Sequence, residues 1–354
     1  MDTHPKVCVI LGAGASHDVK GEASPHIESG FRPPLAKELF DIEHHPVYWE
    51  IIDKYPGAKV LAQSLAPLIS SGQVSIEKEL RRYAEHHDPR IRSQFKYIPA
   101  YLRDLLHFAS YKYTEMPSSY IELVKELLAE YPHDVLFIVL NYDNLLEQAL
   151  QWFDPKFTFR HISDYVATDR PAKVVKLHGA VNWFKLMPGS STVRKVSWDE
   201  ALAGFDIFCK IPESEIFVSD MVYSVRDYDT YYPKHIYPLL TAPLAGKGVS
   251  DAVCPDSHIE VAKEFLRDCQ KFLIVGTSGL DEDLLAMLDS VLSSSGVYYH
   301  VHIVNFRGGA DEAYKKFEKG IRAFRGSLDI RMVFREGFRM YLRGGLKSFV
   351  EFRM

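Results

Sequence analysis

Five short, largely apolar runs punctuate the chain, and each stops abruptly at small or polar residues. Val7 to Leu11 stops at Gly12-Ala13-Gly14-Ala15-Ser16, and Val135 to Leu140 stops at Asn141-Tyr142-Asp143 before a helical pattern from Leu145 to Phe153. Lys173 to Leu177 ends at His178-Gly179, Phe272 to Val275 at Gly276-Thr277-Ser278-Gly279, and His300 to Val304 at Asn305. Apolar runs without alternation predict parallel strands covered on both faces. Helical patterns over Asp281 to Ser290 and Asp311 to Phe324 follow the last two runs. Strand-then-helix alternation predicts a doubly wound, mostly parallel α/β sheet, which takes ligands at the carboxyl ends of its strands. That is where every one of these runs places its polar residues.

Two stretches interrupt the alternation. Residues 30–132 carry helical patterns over Pro34 to Ile42, Lys59 to Ser70, Ile76 to His87, Ile91 to Tyr111 with a kink expected at Pro99, and Tyr120 to Tyr131. They read as a large helical insertion between the first two core strands. Residues 185–257, rich in aromatics, Pro and Gly, read as an irregular lid or loop region, centred on Tyr223 to Tyr232. The expected organisation is one domain over residues 1–354 with these two elaborations, closed by an amphipathic helix within Phe338 to Met354.

Composition narrows the classes. Hydrophobic residues at 47% and charged residues at 25% are those of a globular protein rather than a disordered chain. A net charge of -5 argues against a broad basic face, so no direct nucleic-acid binding is expected. Cys8, Cys209, Cys254 and Cys269 form no C-x-x-C pair, which excludes a structural zinc site of the usual spacing, and no metal is expected. Neither an export signal nor a membrane span is evident, so a cytoplasmic location with reduced thiols is expected.

The first turn carries the sharpest chemistry. A strand followed by Gly12-x-Gly14 and small residues is a nucleotide-phosphate signal, because glycine admits the backbone to a pyrophosphate and a helix start supplies N–H donors. Position 17 is His where a dehydrogenase fingerprint has its third glycine, and no strand ending in an acidic residue follows within about 30 residues. An ordinary dehydrogenase is therefore not the reading.

Taken together, the strand-end motifs resemble the sirtuin superfamily, in its bacterial sirtuin-like, zinc-free branch. Gly12-Ala13-Gly14-Ala15-Ser16 resembles the opening G-A-G-x-S, and the segment from Phe31-Arg32-Pro33-Pro34 to Phe40 resembles the proline-leucine stretch after it. Asn141-Tyr142-Asp143-Asn144-Leu145-Leu146-Glu147 is similar to N-x-D-x-L-x-E, with Leu140 where deacetylases have glutamine. Lys176-Leu177-His178-Gly179 resembles the catalytic L-H-G, Gly276-Thr277-Ser278 the glycine-threonine-serine strand end, and Asn305 the asparagine ending the next strand. Protein-deacylating relatives carry two cysteine pairs after the histidine motif, whereas this chain has only Cys209 and Cys254 there.

The resemblance implies a Rossmann-like fold and hydrolysis of NAD to nicotinamide and ADP-ribose, in antiviral defence against phage. NAD is then substrate rather than resident cofactor. His178 is expected as general base, with an imidazole suited to working pH. Asn141 would position water or ribose, and Asp143 would meet the carboxamide or offset positive charge; an Asn–Asp pair capping the helix at Leu145 is compatible with both roles. Gly12, Ala13, Gly14, Ser16, Gly276, Thr277 and Ser278 would bind phosphates, Asn305 a ribose hydroxyl, and Arg32 phosphate or the closing segment. Three alternatives remain open at this point: a zinc-independent protein deacylase, an ADP-ribosyltransferase, and a non-catalytic sensor of NAD or ADP-ribose. No second module is recognisable, so activation through a separate partner protein or through homo-oligomer formation is expected.

Overall fold

The structure, a computed structural model, describes residues 5–19, 33–40, 46–70, 76–113, 117–187, 196–207, 209–221, 224–227, 235–241, 253–292, 297–325 and 332–352. Its strands are β1 (Lys6–Leu11), β2 (Val135–Val139), β3 (Ala172–Lys176), β4 (Gly179–Leu186), β5 (Phe217–Val218), β6 (Ile236–Leu240), β7 (Cys269–Val275), β8 (His300–Val304) and β9 (Val333–Phe334). The chain forms two compact units. One comprises Met1–Pro33, Ser110–Leu177 and Cys254–Met354; the other comprises Pro34–Ala109 and His178–Val253.

The first unit is built on a six-stranded sheet in the order β3-β2-β1-β7-β8-β9, and every pairing in it is parallel. All five apolar runs are strands of this sheet. Counted among its own six strands, the order is third, second, first, fourth, fifth, sixth. That is the doubly wound dinucleotide-fold order, and it reverses between β1 and β7. One face packs Cys8, Ile10, Leu136, Ile138, Phe272 and Ile274 against the helices Asp256–Arg267, Glu282–Val291 and Gly308–Gly320.

The opposite face breaks the apolar rule. Lys271, His300 and His302 are all buried. Their neighbours Phe272, Val301 and Ile303 point into the first core, as the two-residue period of a strand requires. The Lys271 ammonium donates to the Tyr131 hydroxyl and to the Phe349 carbonyl at 2.7 Å each, and to the Phe352 carbonyl at 3.0 Å. It thereby satisfies carbonyls that the last turn of the helix Gly345–Glu351 leaves without intrahelical partners. The His300 ring stacks on Phe352 with centroids 3.9 Å apart, and His302 Nδ1 lies 2.9 Å from the Tyr341 hydroxyl. Burial, and then the Lys271 charge, pushes His300 down to about 4; burial, then His300 and Lys271, takes His302 to about 3.

The second unit combines the helices Pro46–Ile52, Pro56–Ser70, Ile76–Ala84 and Pro89–Phe95, and most of Ile98–Tyr113, with an antiparallel sheet in the order β5-β4-β6. The expected Ile91 to Tyr111 helix is two helices, with the break at Lys96–Tyr97 just before Pro99. A proline lacks the N–H that an interior position would need, and it fits the first turn of the second helix. The stretch read as irregular holds the end of β4, the helix Trp198–Ala203, β5 and β6. Arg103 ties it to β4, donating to the Met221 carbonyl at 2.5 Å and to the Val181 carbonyl at 3.0 Å. Arg103 also pairs with Asp104 at 3.0 Å, and Asp104 accepts from the Tyr55 hydroxyl at 2.5 Å. Of the lid segment read over Tyr223 to Tyr232, only 224–227 are among the described residues. The closing helix is two short ones, Phe338–Leu342 and Gly345–Glu351, separated at Arg343–Gly344. No helix among the described residues is long and apolar enough to cross a membrane.

Candidate functional site

The carboxyl ends of the central strands are bonded to one another in a row. Leu140 N–H donates to the Leu11 carbonyl at 2.8 Å, Gly12 N–H to Val275 at 2.9 Å, and Gly276 N–H to Val304 at 2.8 Å. Where the strand order reverses, the turn after β1 and the turn after β7 press backbone on backbone. Gly14 N–H donates to the Gly276 carbonyl at 2.8 Å. A Cβ on Gly12 would stand 2.6 Å from that carbonyl oxygen, and one on Gly276, whose φ is +66°, would stand 2.0 Å from Ala15 N. The glycines of both motifs are thus required by each other. Ala13 and Ser278 are exposed, whereas Gly12, Ser16 and Thr277 are buried.

Asn305 is committed locally. Its Nδ2 donates to the Thr277 carbonyl at 3.0 Å and its Oδ1 accepts from Phe306 N–H at 2.8 Å, so it pins the turn after β7 to the end of β8. Thr277 Oγ1 in turn accepts from Gly279 N–H at 3.2 Å. Arg32 lies outside the described residues.

Ser16 and Asn141 do come together. Asn141 Nδ2 donates to Ser16 Oγ at 2.8 Å, and both side chains are buried. Asn141 Oδ1 is also buried, and no hydrogen-bond partner reaches it among the described residues. An amide oxygen in that condition costs stability unless something donates to it. Asp143 Oδ1 accepts from Leu145 N–H at 3.2 Å, so the helix-capping role is present.

The loop carrying these residues is held from below. Lys176, fully buried, pairs with Glu147 at 3.0 Å and also donates to the Asp143 carbonyl. Burial pushes the Glu147 carboxyl up and the Lys176 ammonium pulls it back down. The Ser16 hydroxyl has a second buried partner, the Tyr120 hydroxyl at 2.9 Å. Burial, then the Asp143 charge, raises the Tyr120 phenol well above its ordinary value, so it stays protonated.

His178 follows Leu177, whose N–H donates to the Val139 carbonyl at 3.1 Å, and it opens the second unit. It is half-buried, and its carbonyl accepts from Thr241 N–H at 2.9 Å. Gly179 beside it has φ +80°, and a Cβ there would meet the Leu239 carbonyl oxygen at 2.1 Å. The glycine of the L-H-G motif is therefore demanded by the pairing of β4 with β6.

Residues 135–324 match the family model of the SIR2-like domain. The chain belongs to the SIR2-like domain family. The match takes in Asn141, Asp143, His178, Gly276, Thr277, Ser278 and Asn305, while Gly12 to Ser16 and Tyr120 precede it. The chain is also similar to Sir2 bound to an acetylated peptide, at 12% identity and a TM-score of 0.38 over 97% of this chain and 92% of that one. It is similar to a Sir2 homologue–NAD complex at 13% and 0.38, covering 96% and 90%. A third likeness is to a structure on the mechanism and regulation of Sir2 enzymes, at 16% and 0.37, covering 98% and 92%. No curated protein matches. Tyr120 and Lys176 are not among the site residues expected from the sequence, although Lys176 stands within the L-H-G motif segment. A lysine inside the run Val174-Val175-Lys176-Leu177 is a readable sign of a buried charge, whereas Tyr120 carries no such sign.

Proposed function

We propose that this SIR2-like chain hydrolyses NAD to nicotinamide and ADP-ribose, and that it does so as an effector of antiviral defence against phage. The observation that carries the reading is the Asn141 carbonyl oxygen, buried without a partner among the described residues, beside Ser16 in a chain of this family. A structure of a Sir2 homologue with NAD is consistent with the nucleotide.

The chemistry asks little acid of the protein. The nicotinamide leaving group departs neutral, because its ring is already cationic in NAD. What accelerates the step is orientation, exclusion of water, and stabilisation of an oxocarbenium-like ribose, with one positioned nucleophilic water. Asn141 Oδ1 is the acceptor that orients that water or a ribose hydroxyl. Asp143 supplies negative charge toward the developing cation. His178 takes the proton from water or from the ribose hydroxyl. Ser16 and the turns after β1 and β7 carry the phosphates. Asn305 sets the turn after β7 and meets a ribose hydroxyl. A partner protein or self-assembly switches the activity on.

The test is incubation of the purified chain with NAD, with chromatographic detection of nicotinamide and ADP-ribose, across separated oligomeric fractions and with or without an acetylated peptide. Stoichiometric release of both products without peptide is the expected result. Release only when peptide is present would overturn hydrolysis in favour of deacylation, and saturable binding with no release would leave a sensor.

A further inference from the structure

Between β2 and the helix Leu145–Phe153 the chain runs through Leu140, Asn141, Tyr142, Asp143 and the N-cap Asn144. The two ends of this loop are tied to different strands. At the front, Leu140 N–H donates to the Leu11 carbonyl of β1 at 2.8 Å. At the back, the buried Asp143 carbonyl accepts from the Lys176 ammonium, at the end of β3. The helix starts too late to satisfy that carbonyl, because its bonding opens with Gln148 N–H on the Asn144 carbonyl at 3.0 Å. A lysine is an expensive donor to place there. Lys176 is fully buried and has Glu147, 3.0 Å away, to offset its charge. A buried ion pair often stabilises a fold no better than apolar residues of the same volume, so stability alone does not account for this one. What an apolar pair could not do is donate to a carbonyl.

We infer that Lys176 is a positioning residue of the nucleotide site: its ammonium clamps the Asp143 carbonyl to the end of β3 and so sets where the main chain presents Asn141 and Asp143. Glu147 supplies only the opposite charge that lets the ammonium be buried. The inference rests on the reading of Asn141 and Asp143 as residues that meet NAD. Without the ammonium, the Asp143 carbonyl is left buried and without its donor, a penalty that the loop relieves by carrying it toward water. Asp143 moves with its own carbonyl, and Asn141 lies only two positions before it.

The experiment sets two variants against each other. Glu147→Gln keeps the lysine as donor and removes its opposite charge, whereas Lys176→Met with Glu147→Leu removes both charges and the donor. Glu147→Gln should melt at a lower temperature, yet while folded it should release nicotinamide with kcat within about threefold of the wild type. The apolar pair should melt near the wild type, yet lose kcat by about tenfold or more. A purely structural ion pair would make turnover follow the melting temperature in both. A second measurement needs no ligand. The Leu145 amide, which donates to Asp143 Oδ1 at 3.2 Å, should exchange with deuterium about tenfold faster in the apolar pair, while the Leu140 amide on β1 keeps its rate. In Glu147→Gln the ratio of the two exchange rates should stay that of the wild type. If the wild-type chain releases no nicotinamide but Leu145 exchange rises in the apolar pair alone, the NAD-hydrolysis reading falls and the clamp stands. If Leu145 exchange in the apolar pair matches the wild type, if turnover follows the melting temperature, or if the apolar pair does not fold, the positioning inference is overturned.

Discussion

The Lys176 ammonium lies 3.0 Å from a Glu147 carboxylate oxygen, and both side chains are withdrawn from water. The same ammonium holds the Asp143 carbonyl, so one buried charge supports the loop that carries Asn141 and Asp143. Removing one partner strands the other: Lys176→Met leaves a carboxylate in the core and should cost about 3–5 kcal/mol of stability. Replacing both, as Lys176→Met with Glu147→Leu, should recover most of that loss. Guanidinium unfolding of the single and double variants measures the difference. Equal destabilisation in both would show that the charge pair is not the issue.

The turn-on-turn contact at the strand reversal makes a second prediction. Gly276→Ala must place a methyl 2.0 Å from Ala15 N at a φ of +66°. Strain of this kind is of order 1–3 kcal/mol, and relieving it would prise apart the turns after β1 and β7. Thermal melting followed by circular dichroism should show a lower Tm. Gly308→Ala is the control, because an added Cβ there meets nothing within 4 Å.

Acid should loosen the β8 face. In the unfolded chain a histidine takes its proton near pH 6.5, whereas His300 and His302 resist it down to about 4 and about 3. Between those values the unfolded state binds more protons, so stability is complete above about pH 6.5 and is lost as the pH falls through this window. At pH 5 the loss is at most about 2 kcal/mol per ring, at 1.36 kcal/mol per pH unit. Urea unfolding at pH 7.5 and pH 5 tests it, and His300→Phe, which keeps an aromatic ring against Phe352, should flatten the dependence.

For the proposed chemistry, His178→Ala should cut nicotinamide release by about a hundredfold or more while the far-ultraviolet spectrum stays that of the wild type. Asn141→Ala should do the same by leaving the water unoriented. Wild-type turnover in His178→Ala would remove it from the mechanism.

Much of the first unit is legible because parallel strands buried on both faces announce themselves as apolar runs, and β1, β2, β3, β7 and β8 each fall on one. β9 escapes because two residues, Val333 and Phe334, make no run. β5 and β6 escape because their stretch is rich in Pro and aromatics, and Arg103 ties that stretch to β4 by contacts that no periodicity announces. The strand-end residues of the site could be read for the same reason as the strands: a fixed architecture delivers them. What could not be read were the supports beneath them. Tyr120 reaches Ser16 across 104 positions of sequence, and nothing local to either residue encodes that meeting.

The lysine of β7 has a consequence for how the protein is made. Lys271 sits in the middle of the sheet, but the carbonyls that satisfy its charge belong to Phe349 and Phe352. A ribosome delivering the chain from its amino end therefore makes β1, β2 and β7 when the ammonium can meet the Tyr131 hydroxyl but none of these carbonyls. About eighty further residues must emerge before those carbonyls arrive, so the surroundings of a charge in the middle of the sheet are completed by a helix made long after it.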